Sequence, residues 1–137
     1  MHMQGQPRNM QKDPHYDDVV EDIFKILKNK IQKAREFGAK KIIADVGIGF
    51  GKSLEHNLEL LRNLKEFKKL EVPMLLGISR KSFIGKLAGE EDPAKRDLPT
   101  ALINSMLLDT EIDIIRVHNV RYHKLMNKLY HSIFYQK

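Results

Sequence analysis

The chain of 137 residues carries 24 Lys and Arg against 18 Asp and Glu, a formal charge of +6, with 42% apolar and 31% charged residues. That apolar content excludes a disordered tail, and no apolar run approaches the roughly 20 residues of a bilayer span. The absence of cysteine excludes disulfides, zinc–thiolate sites and thiol nucleophiles.

The length suits one domain, residues 1–137, around one core. The opening stretch from Met1 to Pro7 has no apolar signal-peptide core, so a cytoplasmic location is the expectation. Residues 17–37 place Val20, Ile23, Phe24, Leu27, Ile31 and Ala34 on one helical stripe, with Asp17 and Asp18 in the first turn and Gly38 as the stop. Residues 41–46 form a short apolar run of strand character, 47–51 a glycine loop, and 54–70 a second helix with Leu58, Leu61, Leu64 and Phe67 inward. A second strand is predicted at 72–78, a short helix at 82–87 and a polar loop at 89–93. A helix at 100–108, a strand at 112–117 and a closing helix at 120–135 complete the chain.

Continuous apolar strands alternating with helices predict an α/β fold with a parallel sheet covered on both faces. Right-handed crossovers place the strand C-terminal ends on one rim, where α/β proteins bind ligands. The unusual residues fall there: Asp45 with its glycine loop, Gly77 with Ser79-Arg80-Lys81, and Arg116 with His118. Met1-His2-Met3 suits a fourth strand end. Three strands and a stub amount to half of an eight-fold barrel, which typically needs about 250 residues. The expectation is therefore the C-terminal half of a TIM (β/α)8 barrel, with unpaired edges through which it self-associates or meets a separate N-terminal half.

The stretch Asp45-Val46-Gly47-Ile48-Gly49-Phe50-Gly51-Lys52-Ser53 misses two nucleotide motifs by one residue each. A Walker A loop needs glycine where Val46 stands, and a dinucleotide fingerprint needs G-x-G-x-x-G. The plainer reading is a tight turn using glycine at positive φ. Asp45 ends an apolar strand, where an unpaired carboxylate is costly and the paired N–H donors of a heterocycle would satisfy it. Ser79 or Ser82 suits a helix N-cap, but the adjacent cations Arg80 and Lys81 oppose the macrodipole unless an anion or carbonyl offsets them. Arg116 and His118, two apart in a strand, face one way and suit a phosphate or pyrophosphate. His15, His56, His123 and His131 lack metal-ligand spacing and are expected at the surface.

The lysines of residues 25–30 and 65–69 fall at helical spacing and suit a solvated face rather than a nucleic-acid interface. From Ile112 onward Arg116, Arg121, Lys124, Lys128 and Lys137 face the single acid Asp113, a local excess favouring an anion. Neither nucleic acid nor membrane is an expected partner.

Together, Asp45-x-Gly-Ile-Gly-Phe-Gly-Lys52-x3-His56-Asn57, Gly77-Ile-Ser79-Arg80-Lys81-Ser82-Phe83-Ile-Gly85, Arg96-x3-Thr100 and Ile115-Arg116-Val117-His118 resemble the dihydropteroate synthase family. So does the opening Met1-His2-Met3-Gln4-Gly5-x-Pro7-x2-Met10-Gln11. The resemblance covers the whole chain and corresponds to the last four strand–helix units of that family's barrel. It implies a transferase of folate biosynthesis, the sulfonamide target, joining p-aminobenzoate to 6-hydroxymethyl-7,8-dihydropterin pyrophosphate with release of pyrophosphate. By the same resemblance Asp45 accepts the pterin's amino and ring N–H groups and Lys81 bonds its other edge. Arg116 stacks on the ring and holds pyrophosphate with His118, Phe50, Gly77 and Ser79 border the aminobenzoate, and Met1 lines the pterin pocket. Mg²⁺ is the implied cofactor, but the family's Asn-Val-Thr-Pro-Asp-Ser-Phe segment, whose Asn contacts it, does not occur here. Val46, Pro99 and Asn119 stand where the family usually has Pro, Gly and Asp, which implies adjusted loop geometry at turns and rim. The isolated chain is accordingly expected to be inactive or nearly so. Two other classes stay open: a non-catalytic half-barrel taking pterin or sulfate at Arg116 and Lys81, and the pterin-binding barrel of methyltetrahydrofolate-dependent methyltransferases. Ser79-Arg80-Lys81-Ser82 argues against the second, because it resembles the aminobenzoate loop.

Overall fold

The structure, a computed structural model, describes residues 1–6, 8–10 and 12–135; Pro7 and Gln11 of the opening motif and Lys137 of the basic run lie outside them. The first helix, α1, spans Val19–Glu36. Asp18 caps it, its carboxylate accepting the N–H groups of Val20 and Glu21 at 2.9 Å each. Val19, Ile23, Leu27 and Ile31, four apart, are buried, while Val20 and Phe24 pack at the edge of the same stripe. Gly38 follows the helix at φ 87°, the left-handed conformation that ends it.

The helix expected over residues 54–70 is two elements. Helix α2 covers Leu54–Arg62, Asn63 interrupts it, and a 3-10 turn covers Leu64–Leu70. The reason lies in the apolar spacing: Leu64, Phe67 and Leu70 recur every three residues, matching the three-residue repeat of a 3-10 helix, and all three are buried. This turn and α2 pack under α1, and Phe24 meets Phe67 with ring centroids 6.3 Å apart.

The strands are shorter than predicted. Of residues 41–46 only Ala44 pairs, as an isolated parallel bridge to Met74. Residues 72–78 and 112–117 contract to β1, Leu75–Leu76, and β2, Ile114–Ile115, paired in parallel with Leu75 opposite Ile114. Pro73 has no N–H to give the first ladder, which is left with Ala44 N–H to Pro73 O at 2.9 Å and Leu75 N–H to Ala44 O at 2.7 Å. Burial alternates instead of covering both faces: Ala44, Val46, Ile48, Met74, Leu76 and Ile78 are buried, but Ile43 is 52% and Ile114 37% exposed. The helices cover one face, and the other stays partly open.

Helix α3 spans Ser82–Ala88 and stops at Gly89. The polar loop at 89–93 leads into a 3-10 turn at Pro93–Arg96, which Asp92 caps. Helix α4 runs over Asp97–Met106, three residues earlier in its start than predicted, followed by a 3-10 turn at Leu108–Thr110. Helix α5, Val120–Phe134, packs on α4. Among the described residues no helix is long and apolar enough to cross a membrane.

Phe67 is fully buried in the core, against Phe24 of α1. Phe67→Ala is expected to cost about 3–5 kcal/mol in chemical denaturation, whereas removal of the 92%-exposed Phe37 side chain should leave the midpoint almost unchanged.

Candidate active site

The parallel register decides which side chains meet. Arg116 N–H donates to Leu76 O at 2.9 Å, which sets Gly77 beside Arg116 and Ser79 beside His118. The Arg116 guanidinium lies over Gly77 so closely that a Cβ there would fall 2.8 Å from Nη2. Glycine at 77 thus lets the guanidinium approach, and a Cβ there would displace it. Ser79 Oγ accepts the His118 N–H at 3.1 Å and lies 2.8 Å from His118 Nδ1. Neither Ser79 nor Ser82 caps α3: its N-cap is Lys81, with no side-chain bond, because Ser79 is already engaged by His118.

The glycine loop supplies the third part. Gly47, Gly49 and Gly51 have φ of 72°, 79° and 62°, the turn geometry the sequence suggests. Each also admits a close neighbour. A Cβ on Gly47 would overlap the His2 carbonyl, one on Gly49 would press on the Lys81 stem, and one on Gly51 would press on Gln4. The Asp45 carboxylate is not unpaired: Oδ1 accepts Gly47 N–H at 2.7 Å, an Asx turn satisfying part of its acceptor capacity. Asn57, buried in α2, ties the loop down from behind, accepting Gly49 N–H and donating to Ser53 O, both at 2.6 Å.

Lys81 joins the three parts. Its ammonium donates to Ile48 O and sits 4.5 Å from the Phe50 ring centroid. Burial pulls its pKa down to about 8, the Asp45 charge opposing this and the Arg116 charge adding to it. Asp45, Lys81 and Arg116 therefore share one electrostatic neighbourhood. Met1 is exposed, with its side chain beside Gly47. A cleft of about 620 Å³ adjoins the loop, bordered by Gly49, Lys52, Asn57, Ser82 and Phe83.

Arg80 is not available to an external anion. Its guanidinium makes a two-pronged ion pair with Asp97, Nε to Oδ1 at 2.7 Å and Nη2 to Oδ2 at 2.9 Å. The same contact, seconded by Asn119, holds the Asp97 carboxyl below its ordinary range. Arg80 has φ 61°, unfavourable for a residue with a Cβ. Thr100 accepts its N–H at 3.2 Å and the buried Arg96 donates to its carbonyl at 3.0 Å, which fixes that conformation. Asn119 also caps α5, accepting Tyr122 N–H.

Two histidines expected at the surface have internal roles. His123 is buried between Asn104 and the Asn119 carbonyl, and His56 completes the capping box of α2 with Ser53. Lys52, Asn57 and Asp97 are the structurally important residues to which the sequence reading assigned no role. Asn57 carried a faint signal, lying one residue past the box position of the Ser53 cap, whereas the partners of Lys52 and Asp97 lie far away in the chain.

The family model described as pterin binding enzyme matches residues 1–118. The chain belongs to the pterin-binding enzyme family. Among family members, the dihydropteroate synthase of Haemophilus influenzae is 42% identical over 122 residues, 88% of this chain and 44% of its own length. The chain thus spans about half the length of the curated relatives it matches. Two structures of the Thermus thermophilus dihydropteroate synthase, each 36% identical, superpose on it. The complex with 6HMPPP has a TM-score of 0.93 over 97% of this chain and 53% of that one. The complex with 4-aminobenzoate has a TM-score of 0.90 over 94% of this chain and 53% of that one.

His2 generates a pH prediction. Burial, then Lys52, Lys30 and the N-terminus, depress its pKa from 6.5 to about 3. The unfolded chain takes up this proton below about 6.5 and the folded chain only near 3, so stability is lost as pH falls through that window. The melting temperature should drop between about pH 6.5 and pH 4, and His2→Asn, which keeps an acceptor but does not titrate, should flatten the slope.

Proposed function

We propose that the chain carries a substrate site of dihydropteroate synthase and has the architecture of the C-terminal half of a TIM barrel. The half-open sheet face, with Ile43 and Ile114 exposed, is what a half-barrel leaves on its inner side. That face and the sheet edges are surfaces for a second copy or a separate N-terminal half. A cytoplasmic setting accords with the folate pathway implied.

The observation that carries the reading is the placement of Asp45 under its glycine loop, Lys81 against Ile48, Gly49 and Phe50 of that loop, and Arg116 over Gly77 at the adjoining strand end. In this reading Asp45 accepts the pterin's amino and ring N–H groups through the carboxylate capacity left beside its Gly47 bond. Lys81 bonds the opposite edge of the ring, and Met1 lines that pocket. Arg116 stacks on the pterin and, with His118, receives the pyrophosphate. Phe50, Gly77 and Ser79 border the p-aminobenzoate. The bond from the methylene carbon to pyrophosphate oxygen breaks first, leaving a cation that the electron-rich pterin stabilises, and the aniline nitrogen then bonds to that carbon. The electron pair leaves with pyrophosphate and a proton leaves the nitrogen. Arg116 and His118 stabilise the departing anion, and Asp45 the positive charge developing on the pterin. The similarity to a protein solved with 6HMPPP and with 4-aminobenzoate supports both substrates.

Among the described residues no three His, Asp or Glu side chains gather as a metal site; Mg²⁺ would bind chiefly through the pyrophosphate oxygens and water.

Calorimetry with the pterin pyrophosphate tests the assignment. Asp45→Asn and Arg116→Ala should each weaken binding by roughly tenfold or more, the loss attached to a charge-assisted hydrogen bond. A sulfonamide should displace p-aminobenzoate. Equal pterin affinity in wild type and Asp45→Asn would sink the reading.

A further inference from the structure

Lys52 is only 3% exposed, its amine taken almost wholly out of water. Three acceptors surround Nζ: Gly47 O at 2.8 Å, Phe50 O at 3.0 Å and His2 Nδ1 at 3.0 Å. In the protonated form three N–H bonds meet three acceptors, so that form is fully hydrogen-bonded. Two of those acceptors bracket the segment that holds Lys81, through the Ile48 carbonyl and the Phe50 ring. The third belongs to the N-terminal segment, whose His2 N–H also donates to Asp45 O at 3.0 Å.

We propose that Lys52 is a positioning residue of this site, holding the 47–51 loop in the shape that seats Lys81 on the Ile48 carbonyl and the Phe50 ring. An apolar side chain of equal length would fill the same space but leave the Gly47 and Phe50 carbonyls without this donor. The loop would then be free to turn those carbonyls toward water, carrying the Ile48 carbonyl and the Phe50 ring with them. His2 acts as the neutral third acceptor, so the N-terminal segment and the loop are ordered together. The effect on ligand binding rests on the function proposed above; the effect on Lys81 does not.

The test uses the full chain labelled with ¹³C and ¹⁵N, and compares Lys52→Met and His2→Leu with wild type. A lysine whose ammonium lies over an aromatic ring shows ring-current displacement of its Hε and Cε resonances. In folded Lys52→Met the Lys81 resonances should move toward the positions of a solvated lysine, and His2→Leu should move them the same way by less. Affinity for 6-hydroxymethylpterin should fall roughly tenfold in Lys52→Met, the consequence of leaving two acceptors without their donor. A purely structural lysine would lower the melting temperature without displacing Lys81 in the folded protein. Unmoved Lys81 resonances in folded Lys52→Met overturn the proposal. If that variant does not fold, unmoved resonances in His2→Leu overturn it. A wild-type chain that binds no pterin would count against the proposed function while the Lys81 resonances still decide the role of Lys52.

Discussion

Leu75 N–H reaches the Ala44 carbonyl at 2.7 Å, and Arg116 N–H reaches the Leu76 carbonyl at 2.9 Å. These two backbone bonds bring three distant segments level with one another. A slip of one residue in either would reverse the side-chain directions of a whole strand end. Asp45 would leave the neighbourhood of Lys81, and Arg116 would no longer lie over Gly77. The ladders are short, so the register is enforced mainly by what is buried behind them: Ala44, Val46 and Ile48 from one segment, Met74, Leu76 and Ile78 from the next.

On that frame the charges are arranged with one sign in excess. Lys52 and Lys81 lie against the loop that follows Asp45, and burial pulls the Lys52 pKa down to about 7, Lys81 adding to the fall and Asp45 opposing it. Another cation, Arg80, is withdrawn by Asp97. Two other residues, Thr100 and Arg96, lock its left-handed backbone, accepting its N–H and donating to its carbonyl. An anion arriving at the rim meets Arg116 and His118 with their outer faces exposed, whereas Lys52 stays sealed behind the glycine loop.

The helices were legible in the residue order because amphipathic spacing and caps are local. Val19 to Ile31 repeat every four positions, and Asp18 stands where the first N–H groups need an acceptor. The break after Arg62 was missed, because a continuous helix accommodates much of the three-residue spacing of Leu64, Phe67 and Leu70. Strand length was not legible, because pairing depends on a neighbour: the apolar run at 41–46 contributes one bridge where its partner offers Pro73.

From the residue order alone came the alternation of helix and parallel strand, the rim on which polar groups gather, and the motifs marking Asp45, Ser79, Lys81, Arg116 and His118. Folding in space settled which polar groups are spent internally: Arg80 on Asp97, Ser79 on His118, and Lys52 on two carbonyls and His2. Those partners lie up to 50 positions apart, as Lys52 and His2 do. Local pattern reports only what the neighbouring few residues constrain, while the pairing of a buried charge depends on distances that exist only once the chain has closed around it.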